Sequence, residues 1–226
     1  MVDPRIAISG CVEPAYNVGG DAFDYAVNLD MAHLAVFDAM GHGLDAAVMA
    51  GVTVSAYRHG RRADTPVEDL YTMLDATFYN QFGGDRFVTA QLVNLHLPSG
   101  MLTVVNAGHL PPLHIRGDSV IGQVAGPTTL PIGLGGEQPE VIVAALEPGD
   151  RLLLYTDGVL EERRDGAAYG EQHFIADVED VLRMHVPLPE TVRQLNQRLK
   201  AWRDGDPADD ASLLLAEWRS PDLPLP

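Results

Sequence analysis

Two hairpin signals in the middle of the chain limit what it can become. Residues 87–97 and 101–106 are apolar-rich runs that flank Pro98-Ser99-Gly100. Residues 111–116 and 119–124 flank Gly117-Asp118, a favoured two-residue hairpin turn. Hairpins join neighbouring antiparallel strands, so the centre of the chain reads as antiparallel sheet. Further strands are expected at 6–12, 22–28, 32–37, 141–146, 151–156 and 211–218. The run at 32–37 is nearly all apolar, the pattern of a strand buried on both faces. Helical spacing appears in two pairs. Residues 44–62 and 67–80 form the first, the latter opened by Thr65-Pro66 with Glu68 and Asp69 in its first turn. Residues 171–185 and 189–203 form the second. Burying both faces of such sheets requires them to stack on each other with helices outside. The expected class is α+β, a four-layer α-β-β-α sandwich of two antiparallel sheets flanked by helix pairs. Residues 1–220 read as one domain and 221–226 as a frayed, proline-rich tail.

Charge narrows the partners. Lys plus Arg total 15 against 32 Asp plus Glu, a formal charge of −17. No basic footprint exists to neutralise nucleic acid or an anionic membrane surface. No apolar run approaches the ~18 residues of a membrane span, and Met1 to Arg5 carry no export pattern. One cysteine, Cys11, cannot build an internal disulfide framework. A cytoplasmic protein is the expectation.

Most of the acids serve solubility, but several aspartates stand where a buried strand meets its loop. Ala35-Val36-Phe37 runs into Asp38, and Leu154-Tyr155-Thr156 runs into Asp157. Asp209-Asp210 precedes Ala211, and Gly19-Gly20 precedes Asp21. Any one of them is adequately explained as a loop cap. Together they are different. Like charges gathered at one end of a sandwich repel unless cations neutralise them, and no basic residue flanks Asp38, Asp157 or Asp209. An oxygen-only donor set selects hard cations such as Mg²⁺, Mn²⁺ or Ca²⁺. Two such ions sharing a water would activate it against a phosphorus centre, which also lets an acidic protein accept a dianionic phosphate.

Seven motifs occur in order: Val18 to Tyr25, Phe37 to Ala47, Phe87 to Ala90, Asn106 to Leu113, Leu130 to Leu134, Pro148 to Val159, and Asp209 to Ser212. Together they resemble the SpoIIE-like bacterial branch of the PPM, or protein phosphatase 2C, superfamily, over nearly the whole chain. The resemblance implies a serine/threonine protein phosphatase with two Mn²⁺ or Mg²⁺ ions. By motif matching, Asp38 bridges both ions and the backbone carbonyl of Ala39 ligates one. Asp157 and Asp209 hold the other, Asp21 contacts the site directly or through water, and Asp210 stands behind the ligands. No protein nucleophile is implied. The implied substrate is a phosphorylated protein, an anti-sigma-factor antagonist of the STAS type in a partner-switching pathway. An upstream sensory domain or regulator and a homodimer also fit the branch.

The sequence departs from eukaryotic relatives in two places. Met40 replaces a histidine proposed there as general acid, with His42 two residues on. Tyr16 and Asn17 stand where a phosphate-anchoring arginine is expected. Two other readings therefore stay open: a catalytically weak or inactive binding module that keeps the fold, and a metal hydrolase acting on a small phosphate ester. His109, Asp24 and the Asp85-Arg86 pair are read as structural: a turn histidine, a turn or strand-edge residue, and an exposed turn.

Overall fold

The structure, a computed structural model, describes residues 3–164, 167–203, 205, 207 and 209–219. In chain order the elements are β1 (Ile6–Glu13), β2 (Asp21–Asn28), β3 (Met31–Ala39), α1 (Gly43–Arg62), α2 (Val67–Phe82), β4 (Val88–His96) and β5 (Met101–Ala107). There follow β6 (Leu113–Arg116), β7 (Ser119–Gln123), β8 (Thr128–Thr129), β9 (Ile142–Ala145), β10 (Arg151–Tyr155) and α3 (Gly158–Glu161). Last come β11 (Arg163–Arg164), β12 (Ala167–Ala168), α4 (Gly170–Leu182), α5 (Leu188–Trp202) and β13 (Ala211–Trp218).

Two large sheets result, ordered β1-β13-β10-β6-β7 and β2-β3-β4-β5-β8, with β9 also on β5, beside a small β11-β12 pair. Alternation along the central strands sorts their side chains into three separate cores. Leu34 and Val36 of β3 meet Leu152, Leu154 and Leu214 between the sheets. Their neighbours Ala35, Phe37 and Ala39 face the other way, onto Met49 and Tyr57 of α1 and Leu70 and Leu74 of α2. On the far side Leu153, Tyr155, Leu213 and Leu215 pack against Phe174 and Val178 of α4 and Leu195 of α5. Three cores between four layers are the expected α-β-β-α sandwich. The near-continuous apolar runs follow from it, because a strand covered on both faces has no polar side.

The differences from expectation are local. β8 joins β5 in parallel through only two residues, so the second sheet is not purely antiparallel. The short α3, the β11–β12 hairpin and β8 were not expected. Elements of two to four residues depend on tertiary partners more than on their own sequence. Residues 221–226, Asp204 and Asp206 lie outside the described residues.

Two polar contacts fix the layers. Asp24 is not a turn residue; it lies on β2, an edge strand of its sheet in keeping with the strand-edge alternative, yet is only 4% exposed. It accepts hydrogen bonds from Arg58 at 2.6 Å and Arg61 at 2.8 Å and so ties β2 to the last turns of α1. Trp218 donates its indole N–H to the carbonyl of Leu97 at 2.9 Å, from one sheet to the end of a strand in the other. The second tryptophan, Trp202, ends α5 outside the sheets, against Tyr169 and His173.

Asp150, 1% exposed, closes the turn before β10. It accepts from the Glu147 amide, His114 and both Nε and Nη2 of Arg116, each at 2.8 Å. Burial alone would raise its pKa, but the Arg116, Glu147 and His114 donors more than offset this and hold it at about 2. Asp150→Ala leaves these donors unpaired and should lower stability by about 3 kcal/mol, measured by denaturant unfolding. The sign with pH follows from the depressed value. The contribution is present above the ordinary carboxylate range near 4, and is lost as pH falls toward 2. Acid titration of the wild type against Asp150→Asn should show that difference.

Candidate active site

Asp38 is the penultimate residue of β3, still inside the strand rather than in the loop after it. Phe37 and Ala39 point into the helical layer, so Asp38 points the other way, toward the space between the sheets. Asp21 opens β2 directly opposite, in register with Asp38. The facing sheet contributes the end of β10 and the start of β13. Thr156 donates its hydroxyl to Asp21 at 2.7 Å, and the Ser212 amide donates to that same hydroxyl oxygen at 2.8 Å. This Ser212–Thr156–Asp21 chain joins both sheets at the end where the acids collect.

Asp210 is not among the described residues that line the cleft. One carboxylate oxygen accepts the Ala15 amide at 2.7 Å and the other the Gly20 amide at 2.6 Å, so it staples both ends of the loop between β1 and β2. A Cβ on Gly19 would lie 2.6 Å from this carboxylate. One on Gly158 would collide with the Asp210 carbonyl. A Cβ on Gly20 would stand 2.9 Å from the carbonyl oxygen of Ala39, so only a glycine lets the start of β2 lie this close to the end of β3.

A cleft of about 310 Å³ opens at this end, lined by Asp38, Asp157 and Asp209 together with Tyr16, His42 and Phe87 among others. Asp21 is beside Asp38 but lines a neighbouring groove along α1 instead. None of the described residues lining the cleft is arginine or lysine. The consequence is electrostatic. Burial, with Asp157, Asp209 and Asp210 nearby, pushes Asp38 up to about 7. Burial, with repulsion from Asp38 and Asp210, pushes Asp21 up to about 8 despite the Thr156 hydrogen bond. Burial and the charges of Asp157 and Asp210 also raise Asp209.

The donors present suit a hard divalent cation. They are carboxylate oxygens crowded in a cleft with no arginine or lysine among its described lining residues, and a cation is what such crowding lacks. Among the described residues no three acidic, His or Cys side chains are already drawn together as a closed ligand set.

Sequence reasoning passed over the residues that support the acids. Thr89 stands opposite Asp38 on β4. Buried His109 shares a 2.7 Å hydrogen bond with the Thr89 hydroxyl and a 3.1 Å one with the Tyr155 carbonyl. A carbonyl can only accept, so Nε2 carries the proton and Nδ1 accepts from Thr89. Burial depresses the His109 pKa to about 4. It is a neutral strut between the sheets, in keeping with its structural reading. Thr156 shares a motif with Asp157 and Thr89 lies in the acid-free motif Phe87 to Ala90, and neither carried a further distinguishing signal.

The chain can now be set beside known proteins. The family model described as Stage II sporulation protein E (SpoIIE) matches residues 30–219. The phosphoserine phosphatase RsbP of Bacillus subtilis (strain 168) is 29% identical over 172 residues, covering 71% of this chain and 41% of RsbP. A crystal structure of the RsbU and RsbW domains of a Mycobacterium tuberculosis protein superposes with a TM-score of 0.84 at 28% identity. That match covers 97% of this chain and 62% of the other. The SiaA-PP2C domain of Pseudomonas aeruginosa superposes at 0.78 with 24% identity, over 96% of this chain and 85% of that one. The chain thus spans about two fifths of RsbP and about three fifths of the mycobacterial chain.

The raised carboxylates give a signed expectation. A folded-state pKa above the unfolded one favours folding while the group is protonated, and that advantage disappears as pH rises through the folded value. The metal-free protein should therefore lose thermal stability between about pH 4 and pH 8. Asp38→Asn should flatten that loss and raise the metal-free melting temperature at pH 8. Manganese should stabilise the wild type there more than the variant.

Proposed function

We propose that this chain, which belongs to the SpoIIE family, hydrolyses the phosphate monoester of a phosphoserine or phosphothreonine in a partner protein with the help of divalent cations. The observation that carries the reading is the cleft itself. Three carboxylates line it, no arginine or lysine does among the described residues, and a fourth carboxylate stands beside Asp38. A phosphate dianion could enter only alongside cations. RsbP, a relative, is a phosphoserine phosphatase, and the SiaA domain carries the PP2C name.

In this reading residues 1–220 are one catalytic domain in the cytoplasm. Asp38 would bridge two ions and the Ala39 carbonyl would ligate one of them. Asp157 and Asp209 would hold the other, and Asp21 would act directly or through a water. When bound, Mn²⁺ or Mg²⁺ supplies Lewis acidity toward the phosphoryl oxygens and lowers the pKa of water. The chain's own groups do the positioning. Thr156 orients Asp21, Asp210 keeps the Gly19-Gly20 backbone close behind the acids, and His109 braces Thr89. His109 feeds no proton into the cleft, because its one N–H is spent on Tyr155. Leaving-group protonation then falls to solvent. The substrate of the pathway is a STAS-type anti-sigma-factor antagonist, and an upstream regulator or a second copy of the chain would set its timing.

One observation favours a second reading, a binding module that keeps the fold with little catalysis: the described acids are not preassembled as a ligand set. Mutual repulsion in a cation-free site accounts for the same spacing. Calorimetry separates the two, since absence of Mn²⁺ binding at millimolar concentration favours the module. For the hydrolytic reading, Mn²⁺-dependent phosphate release from a phosphoserine protein should fall about a thousandfold or more in Asp38→Asn and in Asp157→Asn. Wild-type rates in either variant refute the mechanism.

A further inference from the structure

The lining of the cleft combines two chemistries. The carboxylates of Asp38, Asp157 and Asp209 stand beside an uncharged rim of Tyr16, 56% exposed, Met40, 40% exposed, and half-buried Phe87. Val18 and Leu44, each two residues along the chain from Tyr16 or His42, are also exposed, at 43% and 70%. Solvated rings and a solvated thioether at the entrance of a charged site gain free energy only when something apolar covers them.

Tyr16 is held for that task at both ends. Its ring stacks on His42, centroids 4.9 Å apart and planes 27° from parallel. Its loop is fastened by Asp210, whose two oxygens take the amides of Ala15 and Gly20 on either side of it. A ring fixed in advance loses little further freedom on binding. None of the described residues lining the cleft offers an arginine or lysine to an acidic ligand, and the acids beside the rim repel one.

We infer that Tyr16, stacked on His42, is a specificity-determining residue that receives an apolar side chain flanking the phosphorylated residue of the partner protein. The inference rests on the hydrolytic reading and deepens it. The recognised feature is a phosphoserine or phosphothreonine between apolar neighbours, and a substrate with acidic neighbours is disfavoured. The loop staple at Asp210 becomes a positioning device for this contact.

The test uses two phosphoserine peptides of equal length that differ only in having leucine or aspartate on either side of the phosphoserine. With Mn²⁺, the wild type should favour the leucine peptide by about tenfold or more in kcat/KM, the scale set by burying one apolar side chain. Tyr16→Phe should keep that preference. Tyr16→Ala should lose it through KM with kcat little changed, and both variants should melt within a few degrees of the wild type. No preference in the wild type, or a preference unchanged in Tyr16→Ala, overturns the inference while leaving the hydrolytic reading intact. A wild type that cleaves neither peptide overturns the hydrolytic reading instead. Fluorescence anisotropy with the labelled peptides then decides the inference: tighter leucine-peptide binding lost in Tyr16→Ala supports it, and equal binding overturns it.

Discussion

Repulsion among carboxylates gathered at one end of two stacked sheets is the constraint around which this molecule is organised. Asp21 and Asp38 sit opposite each other on one sheet, and Asp157, Asp209 and Asp210 come from the ends of two strands in the other. Keeping them close takes the rest of the architecture. Three apolar cores press the layers together, the Thr156 hydroxyl bridges the sheets at Asp21, and the neutral His109 spans from Thr89 to Tyr155. Bare glycine backbone at 19, 20 and 158 lets the strands approach where a side chain would separate them. The site is therefore a place where folding free energy is stored as electrostatic strain.

Much of the architecture was legible in the amino acids. The helix read at 44–62 is α1, Gly43–Arg62, and the last strand read at 211–218 is β13. Both are written by local physics. Two-sided burial makes a continuous apolar run, and turn chemistry marks where it stops. The pieces that escaped, β8, α3 and the β11–β12 hairpin, are too short for periodicity and exist because neighbours hold them.

For the site the division is equally physical. An aspartate abutting an apolar run stands out, so the candidate acids could be named from sequence. Their supports could not, since a threonine such as Thr89 within a strand or Thr156 just past the end of one has no signature until its partner is known. Asp24 was placed at a strand edge but its role was missed for the same reason. Its arginines lie 34 and 37 positions away along the chain, and only the folded structure turns an edge residue into the anchor of α1. The rim was also invisible, because Tyr16 and His42 become neighbours only when Asp210 fastens the first loop.

The chain has two tryptophans, and they occupy different compartments. Trp218 links one sheet to the end of a strand in the other through its bond to Leu97, whereas Trp202 sits among Tyr169 and His173 at the outer helical layer. Their emission consequently reports on separate events: one on water entering the seam between the sheets, the other on peeling of the outer helices. Replacing either indole with phenylalanine would turn this single polypeptide into a pair of optical sensors for the order in which its strata come apart.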